Sequence, residues 1–391
     1  MRRRKLVLVV VAVTVSAIAV APTAGAAPNA VPGTMVLRGL PGTEWTWAVD
    51  INNSYVVIGT NDFIPVRWDS VGRVTELPVP PDLVDTVMRE VTDSGFIIGD
   101  ARRYDQGGTL TTALLWDPQG NRIDLQYPPG SSQTHATDVN NAGVVVGTAT
   151  TADGQVHAVR WDPQGQVTEL QKRPGGDFSH AAAINDRGTV AGYSDVVVAG
   201  THFTHAVKWS NAGQISVLGG STSAMNSQAL AINNSETVAG VQGAMTIRWD
   251  QLGRATVLQP PALPTAMNED GVVVGQVGEW ENMQPIRWDQ QGRGILLSRL
   301  GYPTRANSIN RAGTIVGTSS DRSSHPGSWA FSRAAHWDPA GKVTDLGDPV
   351  GVLNAATGIN DKGAICGSSG DLNGPTNAVV WHRWSHTSNP R

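Results

Sequence analysis

The chain has 391 residues, with 44 Gly, 23 Pro, a single Cys, 16% charged and 40% hydrophobic residues, and a formal net charge of −4. Gly plus Pro is about one residue in six, well below collagen or linker composition, and the hydrophobic fraction is too high for wholesale disorder. The lone Cys366 excludes an internal disulfide framework and any cysteine-built zinc cluster.

The chain begins with a basic run, Arg2-Arg3-Arg4-Lys5, followed by 16 residues from Leu6 to Ala21 in which only Thr14 and Ser16 are polar. Ala24-Gly25-Ala26 then supplies small residues for cleavage, the three-part layout of a secretory signal peptide over residues 1–26. The apolar run is shorter than the roughly 20 residues a membrane span needs. Cleavage would remove four basic residues and no acid, leaving 25 basic against 33 acidic residues, a net charge of −8. With that charge and no basic run, neither nucleic acid nor membrane insertion is expected. Residues 27–34 read as a linker.

From residue 35 onward the chain repeats itself, and such periodicity decides architecture before any local reading. Trp68, Trp116, Trp161, Trp209, Trp249, Trp288, Trp337 and Trp381 recur every 39 to 49 residues. Behind the first seven, Gly stands at +4 and Leu at +9 (Gly165 and Leu170 after Trp161, for example). Upstream of each Trp lies a second cassette headed by Asn52, Thr92, Asn140, Asn185, Asn233, Asn268, Asn310 and Asn360. Gly follows seven residues later in all eight units, from Gly59 to Gly367. The Asn-to-Trp distance varies from 16 to 27 residues, which confines the variation to one connection.

Each unit reads as four short strands. In the fourth unit Ala181–Asn185 is the first, Asn185-Asp186-Arg187-Gly188 a tight turn, and Thr189–Gly192 the second. His205–Trp209 is the third and Gln214–Leu218 the fourth. Asp117-Pro118-Gln119-Gly120 and its counterparts have type I turn composition before the fourth strand. Nothing after the leader carries a helical apolar stripe long enough for a helix. Eight units of about 45 residues predict an all-β fold, a β-propeller over residues 35–384 with eight four-stranded blades, seven being the alternative. The last unit lacks a fourth strand, and residues 35–40 look like the missing one, with Leu40 matching the repeated Leu. An N-terminal strand would then close the ring and remove an open sheet edge. Residues 385–391 are expected to be a disordered tail.

The repeats resemble the HAF family of secreted bacterial repeat proteins. The resemblance is carried by the Ile-Asn-x-x-Gly-x-Val-Val-Gly cassette, best at Val139–Gly147, and by His157-Ala158-Val159 and His205-Ala206-Val207. It spans residues 36–384. Val replaces the family's Phe, and only two units keep the His. The resemblance implies secretion and an extracellular repeat fold; it transfers no catalytic residue.

Strands alternate in direction, so the two tight turns of every unit share one face and the variable connections share the other. Binding groups concentrate on loops held by a rigid scaffold, which selects the variable face. Five residues before each Asn position stand Trp47, Val87, His135, His180, Gln228, Leu263, Arg305 and Ala355. Trp47, His135, His180 and Arg305, with His157 and His205 at the start of third strands, are the expected ligand-binding residues. Two further segments could add contacts: Glu279-Trp280-Glu281 and the loop from Ser319 to Ser332. The basic residues before Trp (Arg67, Arg160, His336) are expected to pair with acids of the fourth strand (Glu76, Glu169, Asp345), a structural role.

Asp follows Trp in six units and there belongs to a repeated turn, so no catalytic residue, metal or cofactor is expected. The sequence therefore reads as a secreted, monomeric, non-enzymatic propeller binding an extracellular glycan or protein. A propeller hydrolase or lyase acting on polysaccharide is one alternative, and a surface repeat without a specific ligand is another.

Overall fold

A computed structural model describes residues 4–5, 33–105, 108–219, 225–278, 282–321, 331–371 and 374–381. Most of the expected signal peptide, the linker up to residue 32, the tail, Glu279–Glu281 and the centre of the 319–332 loop lie outside the described residues. Among those described there are only strands and turns, and no helix is long and apolar enough to cross a membrane.

Each repeat is an antiparallel meander, as in unit three, where Ser131–Val139, Val145–Thr151, Val156–Trp161 and Val167–Glu169 pair in sequence. The strands hydrogen-bond into seven sheets, the number named by the seven-blade alternative. Five sheets hold four strands, and a sixth holds five because Arg4–Lys5 pairs with Ala266 and Met267. The seventh holds eight strands, contributed by two consecutive repeats that join through one parallel pair, Ser332 with Leu353. Eight repeat units thus make seven sheets.

The two recurrent residues of the cassette have separate physical causes. Every first strand carries a bulge three residues before the Asn position, as between Ala136 and Asp138. The bulge drives the main chain against the second strand, so that a Cβ on Gly147 would overlap the His135 carbonyl oxygen. The Asn itself has two roles. Asn140 Oδ1 accepts from the amides of Ala142 and Val144, at 3.1 and 2.9 Å, which shapes the turn. Its Nδ2 reaches the next unit and donates to the Asn185 carbonyl at 3.2 Å. The same step recurs from Asn185 to Asn233, from Asn310 to Asn360 and from Asn360 to Asn52. Thr92 has no amide to extend, and there Ser94 Oγ donates to the Asn141 carbonyl at 2.7 Å instead.

The core lies between units. Ile98, Ala113, Leu115 and Leu125 of unit two pack on Ala136, Val139, Val145, Val159 and Trp161 of unit three. Trp161 is fully buried, and its Nε1 donates at 2.7 Å to the carbonyl of Gln126, the residue after Leu125. Trp68 makes the corresponding bond to Arg38. Leu37 is therefore the counterpart of the repeated Leu, 2% exposed, and Leu40 is not. The closing strand is Thr34–Val36, with Met35 opposite Val380 and Leu37 N donating to the Ala378 carbonyl at 2.8 Å.

The basic residue before Trp also works between units. Arg67 donates to the carbonyls of Pro118 and Gln119 at 2.7 and 2.6 Å, and Arg160 to that of Asn211 at 2.7 Å. The cross-strand ion pairs expected within units do not form, because Arg160 is opposite Thr168 and Glu169 opposite Val159. Glu169 consequently shares a sheet face with the residue four before Trp, and the pairs seen are His157–Glu169 at 3.4 Å and Arg333–Asp345 at 3.0 Å.

Candidate functional site

At the tight-turn mouth the polar groups are consumed by the ring itself. The residue after each Asn position alternates largely between amide and acid: Asn53 Nδ2 donates to Asp93 at 2.8 Å, and both Asn141 and Asn234 donate to Asp186 at 3.0–3.1 Å. The acids after Trp are equally committed. Asp250 Oδ1 accepts from the Leu252 and Arg254 amides at 3.0 and 2.8 Å, and the Arg254 amide foremost holds its carboxyl below the usual carboxylate value. The variable-connection face is the one with groups to spare.

On that face Trp47 lies in the strand Thr46–Ile51, half-buried, with its ring stacked on Trp45 (centroids 6.0 Å apart, planes 16° apart). Phe63 lies tilted against Trp47, with centroids 6.3 Å apart and planes at 44°. Trp45 is 39% and Phe63 57% exposed, so the three rings form an open aromatic platform. Its support is local. Asp62 and Phe63 sit at positive φ (46° and 68°) in the turn of the hairpin, and the Asp62 carboxylate accepts from the amides of Glu44 and Trp45 at 3.0 and 2.9 Å.

Val87 occupies the same position in unit two. Beyond it the inner strands turn polar. Asp100, buried next to Gly99, accepts from Arg89 Nε at 2.6 Å and from the Ala136 amide at 3.0 Å. Its other neighbour is His135, whose Nδ1 lies 3.6 Å from Asp100 Oδ2 while the side chain remains 40% exposed. Burial works to raise the Asp100 pKa, but the charge of Arg89 and the nearness of His135 outweigh it and hold the carboxyl below its usual value. One unit further, His180 stacks flat on Tyr193 at 4.9 Å and 4°. Burial, with His135 nearby, pushes its pKa down to about 4. Burial likewise raises the Tyr193 phenol.

The structure thus brings His135 and His180 together and sets Trp47 apart on its own platform. Arg305 holds the equivalent place in unit seven, half-buried, its pKa lowered by burial. The two third-strand histidines have other neighbours. His157 faces the outer strand and Glu169, and His205 is 3% exposed against Arg173. His205 is thus taken up by packing, while His157 stays partly exposed at the outer strand. Sequence reasoning missed Trp45, Phe63, Arg89, Asp100 and Tyr193. Asp100 and Tyr193 could have been found, since each follows the repeated Gly where other units place Thr, Ser, Val or Gln. It also missed Asp195, 2% exposed, whose carboxylate meets His202 Nδ1 at 2.6 Å. Among the described residues no three His, Cys, Asp or Glu side chains stand together as a metal site.

Neither a protein-family model nor a curated protein sequence matches the chain. Solved structures do. The chain is similar to the Dos1 propeller, with 10% identity over 91% of this chain and 95% of that one and a TM-score of 0.54. It is similar to Porphyromonas gingivalis dipeptidyl peptidase 4, with 9% identity, 86% of this chain, 57% of the peptidase and a TM-score of 0.53. A streptogramin B lyase structure aligns at 13% identity over 88% of this chain and 96% of that one, with a TM-score of 0.44. At such identities the likeness carries architecture alone: the chain is an all-β protein of the β-propeller fold.

Proposed function

We propose that this propeller is a secreted, non-enzymatic binding protein of HAF-repeat type that takes an extracellular carbohydrate on its variable-connection face. The observation behind this reading is the platform of Trp45, Trp47 and Phe63, exposed beside the inner strand of unit one. Aromatic faces of this kind stack on the C–H faces of sugar rings, and their burial supplies binding energy without charge. A peptide with apolar side chains is the other occupant such a surface suits. The test is calorimetric titration with neutral hexasaccharides (cello-, xylo-, manno- and chitohexaose) against wild type, Trp47→Ala and Phe63→Ala. Binding to one of them, weakened at least tenfold by Trp47→Ala, supports the reading; no binding to any sinks it.

One observation favours a polysaccharide-cleaving enzyme as a second reading. A buried Asp100 beside a partly exposed His135 is an acid–imidazole pair on the inner strands, a geometry suited to a general base. Release of reducing ends or unsaturated products from polysaccharide, abolished in His135→Ala, would support it over pure binding.

A further inference from the structure

The histidine pair has a hydrogen-bonding polarity that specifies its ligand. His180 Nδ1 is buried and has no hydrogen-bond partner. A bare buried lone pair is less costly than a bare buried N–H, so the proton belongs on Nε2, and His180 offers a donor from that nitrogen. Stacking on Tyr193 fixes the plane in which it does so. His135 has the opposite arrangement. Its Nδ1 faces the Asp100 carboxylate at 3.6 Å, which keeps the proton on Nδ1 and leaves Nε2 as an acceptor. Neighbouring inner strands therefore present one N–H and one lone pair. A carboxylate or phosphate can only accept, and an ammonium group can only donate. A hydroxyl does both. Asp100, the acid beside His135, is offset by Arg89, so it does not give the pair a field that would favour an ion.

We propose that His135 and His180 form a second subsite that grips one hydroxyl of a neutral oligosaccharide whose neighbouring sugar residues rest on the aromatic platform. This rests on the carbohydrate reading above. Unit two lies between the two places and presents Val87, 48% exposed, at the shared position. The ligand therefore bridges a largely apolar stretch, which requires several linked sugars.

The experiment is titration of the protein with the same four hexasaccharides and with their monosaccharides, comparing His180→Phe, His180→Gln, His135→Leu and Trp47→Ala. Phe keeps the stack on Tyr193 and loses the donor; Gln restores an N–H near the position of Nε2. Losing one hydrogen bond predicts about tenfold weaker hexasaccharide binding in His180→Phe and in His135→Leu, with recovery to within about twofold in His180→Gln. Monosaccharides bind at least a hundredfold more weakly than the hexamer. Circular dichroism melting identifies any variant that fails to fold, and His180→Gln then decides the outcome: wild-type affinity supports a retained donor. Hexasaccharide binding lost in Trp47→Ala but unchanged in both His135→Leu and His180→Phe overturns the subsite and leaves the platform standing. No hexasaccharide binding in wild type overturns both.

Discussion

Asn360 Nδ2 donates a hydrogen bond to the main-chain oxygen of Asn52, 308 positions earlier in the sequence, at 3.0 Å. That bond crosses the seam where the last unit meets the first, and its Oδ1 also accepts from the Ala364 amide at 2.8 Å. Asn360→Ala leaves the buried Ala364 amide without its acceptor, while the Asn52 oxygen keeps its bond from the Tyr55 amide. The expected cost is about 1–3 kcal/mol for the orphaned group, read as a lower midpoint in urea denaturation. Thr92→Asn is the converse. It supplies the one amide the ring lacks and is expected to stabilise by about 1 kcal/mol; an unchanged or lower midpoint would show that Ser94 already fills the gap.

The closing strand gives a second expectation. Leu37→Ala removes a side chain buried among Ile51, Val57, Trp68 and Val380 at the seam, and about 2–5 kcal/mol of stability should go with it. Deleting residues 34–37 goes further, because it bares the edge of the strand Thr376–Trp381. That protein should elute as oligomers in size-exclusion chromatography, since unpaired edges recruit other chains.

Glycines of the two kinds should respond differently. Gly147→Ala forces a Cβ into the His135 carbonyl, and the bulge cannot relax without breaking the pairing of Ala136; a loss above about 3 kcal/mol, or no folded yield, is expected. Gly154 sits at φ 85° in a hairpin turn with nothing near its missing Cβ. Gly154→Asn, which tolerates that backbone region, should stay within about 1 kcal/mol of wild type.

Acid should destabilise the protein through His180. Its folded pKa is about 4 against an ordinary value of 6.5, so the unfolded chain binds the proton first as pH falls. The neutral ring costs nothing above pH about 6.5, and stability is lost progressively between there and about 4, by up to about 3 kcal/mol. Asp100 acts in the same direction at lower pH, since its depressed pKa contributes stability that disappears once the carboxylate is protonated. His180→Phe should flatten the denaturation midpoint across the upper window only. An equal pH slope in the variant would assign the acid sensitivity elsewhere.

The sequence by itself determined the repeat, its strand order and its closure. Those features are written in local chemistry, because Trp and Asn recur wherever one unit must meet the next and Gly wherever the bulged first strand crowds the second. Even so, the purpose of the repeated Asn was not legible: its side chain acts on a carbonyl tens of residues away. The same holds for Arg67 and Arg160, whose partners lie in the next unit because strand register turns them away from the acids in their own. Leu37 against Leu40 was likewise settled by register. For the site, position in the repeat singled out Trp47, His135 and His180, since symmetry-breaking is visible in a sequence. Tertiary structure alone decided which of them act together. It stacked Trp45 and Phe63 on Trp47, placed Asp100 behind His135 from a neighbouring unit, and buried His205. Those outcomes depend on which face of a strand a side chain takes and on which unit stands beside it, and neither is set until the ring closes.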